Sequence, residues 1–127
     1  MNFEKVVFGF FIVLALTLNF GFFIGEIDNP QHHHIYELFA AIVVSLVATV
    51  LKFGDRTQIG AILVATSLVA DLELIAAAIV WTYAVHISQT GLTPELTASI
   101  VSLSGGALLA NFVSVILLVL ETGMLRR

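Results

Sequence analysis

Two carboxylates stand two residues apart in the stretch Ser67-Leu68-Val69-Ala70-Asp71-Leu72-Glu73-Leu74-Ile75, near the middle of a long apolar segment. A charge at bilayer depth costs about 2.5–3.5 kcal/mol on insertion scales, so acids there mark a site that needs them. Their chemistry is limited to three forms: a cation site, a proton-relay acid, or a ring of carboxylates lining a pore. An ion pair would be the simplest way to neutralise them. The five basic residues, Lys5, Lys52, Arg56, Arg126 and Arg127, all fall at segment ends, so none is positioned as a mid-membrane partner. The missing charge is therefore expected to be an inorganic cation or a proton.

Three more polar groups fall near the same depth. At about 1.5 Å per residue from the basic end, Asn19 lies about 21 Å deep, Asp71 about 20 Å, Asn111 about 18 Å and Glu37 about 24 Å. Asp71 and Glu73 are the expected pathway residues, with Asn111, Asn19 and Glu37 as auxiliary polar groups. A second constellation is His32-His33-His34 with Glu37. His33 and His34 precede Glu37 by four and three residues, so on one helix both can meet it and offer a metal site or a pH-sensitive mouth. Solvated histidines at the surface are the plainer reading.

The elements that must position these groups follow from composition. Of 127 residues, 59% are hydrophobic and 11% charged, far too apolar for a soluble domain. So few basic residues exclude a nucleic-acid-binding surface, and the absence of cysteine excludes disulfides and thiolate chemistry. No catalytic constellation or glycine-rich phosphate loop is visible, so neither an enzyme nor a bound cofactor is expected. Four apolar segments, at about residues 5–25, 30–53, 58–86 and 95–123, are long enough to span a bilayer. The first is expected to be a retained helix rather than a cleaved signal, because its apolar run is long and no small-x-small site precedes Glu26.

Local signals set the ends. Asn29-Pro30 and Thr93-Pro94-Glu95 read as a cap followed by proline at the first helical position, starting segments two and four. Gly54 reads as a helix stop, with Asp55 or Thr57 capping segment three. Trp81 and Tyr83 suit an interfacial aromatic belt. The fold class is thus an all-α, single-domain bundle of four transmembrane helices. With four spans, every basic residue lies on one side, and the positive-inside rule places both termini in the cytoplasm.

Helical phase adds one constraint. Residues two apart point about 200° apart, so Asp71 and Glu73 cannot face one site. Gly60, Ser67, Asp71 and Ala78 share one face, and Thr66, Ala70, Glu73 and Ala77 share another. Segment three then has two faces unsuited to lipid, which argues for a homo-oligomer. Segment four carries two stripes as well: Ser104, Ala107, Asn111 and Ser114, and Ser99, Ser102, Gly106 and Ala110.

Three local resemblances are present. Lys52-Phe53-Gly54-Asp55-Arg56-Thr57-Gln58 resembles the acidic-hydrophobic-Gly-Asp-basic-Thr motif of small manganese and calcium cation exchangers. Here Lys52 replaces the acid, and the motif occurs once, at a loop. Chain length and span number are similar to those of fluoride channels and small multidrug exporters. Gly106-Ala107-Leu108-Leu109-Ala110-Asn111 resembles a fluoride-channel helix but lies in the fourth span rather than the second. The exporters carry an acid in the first span, where this chain has Asn19. No family assignment follows from these fragments. The expected function is a homo-oligomeric cation channel or cation/proton-linked transporter of the bacterial inner membrane. The alternative is a non-conducting accessory or scaffold subunit of a larger membrane complex.

Overall fold

The computed structural model describes residues 3–26, 28–88 and 91–125, the last without its side chain. Four helices account for most of them: α1 (Phe3–Phe23), α2 (Ile35–Lys52), α3 (Gln58–Thr82) and α4 (Pro94–Leu125). Each is long and apolar enough to cross a bilayer. They pack in the ring order α1–α2–α3–α4, with α4 closing back onto α1. The Lys5–Glu121 ion pair, 3.4 Å, brings both ends of the chain to one end of the bundle. Lys52 lies at that end too, its ammonium 4.6 Å from the centre of the Phe8 ring. Arg126 and Arg127 lie outside the described residues.

The bundle is built with small residues inside and large ones outside. Ala15, Ala41, Ala48, Ala70, Ala77 and Ala107 are fully buried, while Phe10, Phe20, Val43, Leu72, Leu109 and Phe112 face outward. In water that distribution would be ruinous. In a bilayer it is expected, because lipid tails solvate the large side chains and small residues let helices approach.

The caps explain the helix ends. Thr57 begins α3, its Oγ1 accepting from the Gly60 N–H at 2.9 Å. Asp55 supports that cap from outside, accepting from the Thr57 N–H at 2.9 Å and hydroxyl at 2.7 Å. Thr93 begins α4, accepting from Leu96 N–H at 3.1 Å, with Pro94 as the first helical residue. At its far end α3 loosens into a π-helical turn, Tyr83–Ile87.

Segment two starts later than its cap-and-proline signal predicts. Asn29 does cap a helix, accepting from the Gln31 N–H at 3.0 Å, but that helix is a single 3₁₀ turn, Pro30–His32. His33 is then extended, with φ −128° and ψ 104°, and α2 begins only at Ile35. The physical reason lies in the His33 ring. Its Nδ1 faces the Phe22 carbonyl at 2.5 Å and its Nε2 the Glu26 carbonyl at 2.7 Å. A long-range bond to the end of α1 thus overrides the local helix start. Gly25, at φ +109°, makes the preceding turn, and a Cβ there would lie 2.6 Å from His32 Cβ.

Candidate functional site: polar groups at the helix contacts

Asp71 is 3% exposed and faces α2. Ser45 Oγ donates to its Oδ1 at 2.6 Å, and Thr49 Oγ1 lies 2.6 Å from its Oδ2. Ser45 and Thr49 are four residues apart, so they sit one turn above the other on the same helix face. Thr49 Oγ1 is also 3.0 Å from the Ser45 carbonyl oxygen. Its single proton therefore has two acceptors. Directed at Asp71, it solvates an ionised carboxylate. Directed at the Ser45 carbonyl, it leaves the threonine oxygen free to accept a proton carried by Asp71 Oδ2. The same three side chains satisfy the acid with or without its proton.

Glu73 points the other way, as helical phase requires. It is half-buried against α4, where a Cβ added at Gly106 would overlap its Oε2. Glu37 repeats the device at the α1–α2 contact, its carboxylate seated over Gly21. Asn19, fully buried, reaches α4: oriented to suit its neighbours, its amide nitrogen donates to the Ser104 carbonyl and its oxygen accepts from the Leu108 N–H, both at 3.0 Å. Those two backbone groups are an i, i+4 pair, so the side chain bridges one rung of the α4 ladder, beside Gly105-Gly106. Each of the four helix contacts in the ring thus carries one of the predicted polar groups.

Asn111 stands apart. It is fully buried, and neither end of its amide has a hydrogen-bond partner; Ser67 Oγ is likewise buried and unpartnered. The α3–α4 register is set by the Thr66–Ser114 hydroxyl pair, 2.6 Å, and by the seat of Glu73 on Gly106. That register places Asn111 level with residue 69, between Ser67 and Asp71.

Ser45 and Thr49 did not stand out in the sequence. Hydroxyls inside a helix usually bond their own backbone, and only the four-residue spacing opposite Asp71 hints at a pair. Nor is a second copy needed to cover the acids: both faces of α3 are covered within one chain, by α2 and by α4.

At the end opposite the lysines, His33 is 8% exposed and tied to two carbonyl oxygens. A carbonyl only accepts, so a ring nitrogen that bonds one does so as a donor. Phe22 is in the last turn of α1, where carbonyls lack helical partners and need a donor from elsewhere. With both nitrogens so used, His33 offers no lone pair to a metal. His34 is exposed at the start of α2, and among the described residues no three histidine, aspartate or glutamate side chains are grouped as a metal would need.

At the basic end, Glu4, Lys5, Phe8, Leu51, Lys52, Gly54 and Asp55 line a cavity of about 310 Å³. Lys52 pairs with Asp55 at 3.3 Å. The Thr57 backbone and hydroxyl bonds, with Lys52 beside them, hold the Asp55 carboxyl below the usual aspartate value. Ser45, Thr49 and Lys52 are all buried on one stripe of α2, running from Asp71 to this cavity.

Fold and site together define a small polytopic α-helical membrane protein with an acid enclosed at mid-depth. The chain belongs to DUF6394, a family of unknown function, whose model matches residues 32–122. That match takes in α2, α3 and nearly all of α4, and so includes Ser45, Thr49, Asp71, Glu73 and Asn111, but not Asn19. No curated protein and no solved structure matches the chain.

Proposed function

We propose that the protein moves a proton or an inorganic cation across the bacterial inner membrane, with Asp71 as the group that binds it. One observation carries this reading: an enclosed carboxylate at mid-depth whose hydrogen-bonding partners, among the described residues, are two hydroxyls. Hydroxyls can exchange a proton with it or lend lone pairs to a cation; they cannot neutralise it. The positive-inside rule makes the lysine end cytoplasmic, so the polar cavity there is the cytoplasmic vestibule and the Lys52–Thr49–Ser45 stripe its route inward. Both termini are then cytoplasmic. Homo-oligomeric assembly remains part of the proposal, supported by Ser99 and Ser102, which leave small polar positions exposed on α4.

Flux in liposomes holding only this protein tests the reading. Selective flux that Asp71→Asn abolishes supports it, and flux unchanged by that variant refutes it. A well-folded protein with no flux under any ion or pH turns the assignment to a non-conducting accessory subunit.

A further inference from the structure

We infer that Asp71, Ser67 and Asn111, with Ser45 and Thr49, form an all-oxygen site for a sodium-sized alkali cation, in which the cation and a proton compete for one carboxylate. The inference rests on the transport reading and names its cargo.

Three observations converge. Ser67 precedes Asp71 by four residues on the same buried face of α3, one helical turn away, while the Asp71 carboxylate itself is held by Ser45 and Thr49 of α2. Ser67 Oγ is fully buried without a partner. Asn111 lies on α4 at the depth of this turn by the Thr66–Ser114 and Glu73–Gly106 pairs, and is fully buried with its amide unpartnered. An unpaired buried polar group destabilises a fold, and two flanking one enclosed acid need a reason to be there.

The donor set selects the ligand. Every atom offered is a hard oxygen: a carboxylate, three hydroxyls and an amide carbonyl. Such a set suits alkali and alkaline-earth ions rather than zinc or copper. One carboxylate balances a monovalent cation and leaves a divalent one with excess charge at bilayer depth. A dehydrated cation needs its water oxygens replaced, which the orphaned Ser67 and Asn111 oxygens do without disturbing an existing bond. Binding the cation requires the ionised acid, so one cation entering displaces one proton, which leaves to water. Among titratable groups on the packed helices, Lys52 lies one turn beyond Thr49 on α2 and is held by Asp55, and Glu73 faces α4. Glu37 sits over Gly21 at the α1 contact of α2, and the only ionisable groups of α1 and α4 lie near their ends.

The test is thermal unfolding of the full chain in nanodiscs against NaCl, with N-methylglucamine chloride holding ionic strength constant. Sodium stabilises the wild-type protein, and Asp71→Asn abolishes the response. Ser67→Ala and Asn111→Leu raise the sodium midpoint about tenfold or more, the loss of one ligand oxygen. Without sodium both variants unfold no earlier than wild type, because each removes an unpaired polar group. A purely structural role predicts the reverse: lower stability and an unchanged sodium midpoint. No sodium response in a protein whose proton flux depends on Asp71 overturns this inference and leaves the transport reading standing. A sodium response without any flux overturns the transport reading and leaves the site.

Discussion

Removing the Ser45 hydroxyl tests whether Asp71 is held as described. Ser45→Ala deletes the donor 2.6 Å from Asp71 Oδ1 and leaves a buried carboxylate oxygen without it. Stranding a buried acceptor costs about 1–3 kcal/mol in soluble proteins, and interhelical polar pairs in a membrane average about 0.6 with a maximum near 1.7. A destabilisation of about 1–2 kcal/mol is therefore expected. Thr49→Val removes the second partner and also the bond to the Ser45 carbonyl, so a similar loss is expected. The informative step is the cycle with Asp71→Leu. In that background there is no carboxylate to strand, and each hydroxyl deletion should cost less by about 0.6–1.7 kcal/mol. Reversible unfolding in mixed micelles reads these differences. Additive losses, with coupling near zero, would refute the described contact between α2 and α3.

Three other perturbations follow from the same geometry. Gly106→Ala places a methyl group where the Glu73 carboxylate sits, so its effect and that of Glu73→Ala should be strongly non-additive in unfolding assays. His33→Ala strips the Phe22 and Glu26 carbonyls of their donors; hydrogen exchange around residues 22–37 should rise, with a local loss of about 1–3 kcal/mol. The Asp55 carboxyl is depressed in the folded chain, so its contribution to stability is complete above the ordinary aspartate value. That contribution is lost as pH falls through the depressed value. Acid titration of Asp55→Asn should lack that loss, and an acid profile identical to wild type would contradict the cap geometry.

The parts of this fold legible in sequence are those set by local rules. Length and apolarity fix four spans, and Thr57 and Thr93-Pro94 fix the starts of α3 and α4 because capping involves only neighbouring residues. The start of α2 departs from its local signal because His33 answers to the Phe22 and Glu26 carbonyls, which no local pattern shows. Helical phase correctly separates Asp71 from Glu73, yet cannot say what either faces. The structure supplies that: hydroxyls of α2 for one, a glycine of α4 for the other. Gly21 and Gly106 leave room for a neighbour, and the acids seated on them come from other helices. Small residues signal room for a neighbour; the neighbour's identity is a matter of register.

In the proposed function Asp71 carries the translocated ion. The most direct measurement is pH- and cation-driven flux in proteoliposomes, comparing wild type with Asp71→Asn and Glu73→Gln at matched, verified incorporation. Selective wild-type flux is expected, with its loss to the level of empty liposomes in Asp71→Asn and substantial flux in Glu73→Gln, whose acid lies on the opposite face of α3. Wild-type flux that persists in Asp71→Asn would contradict that role for Asp71.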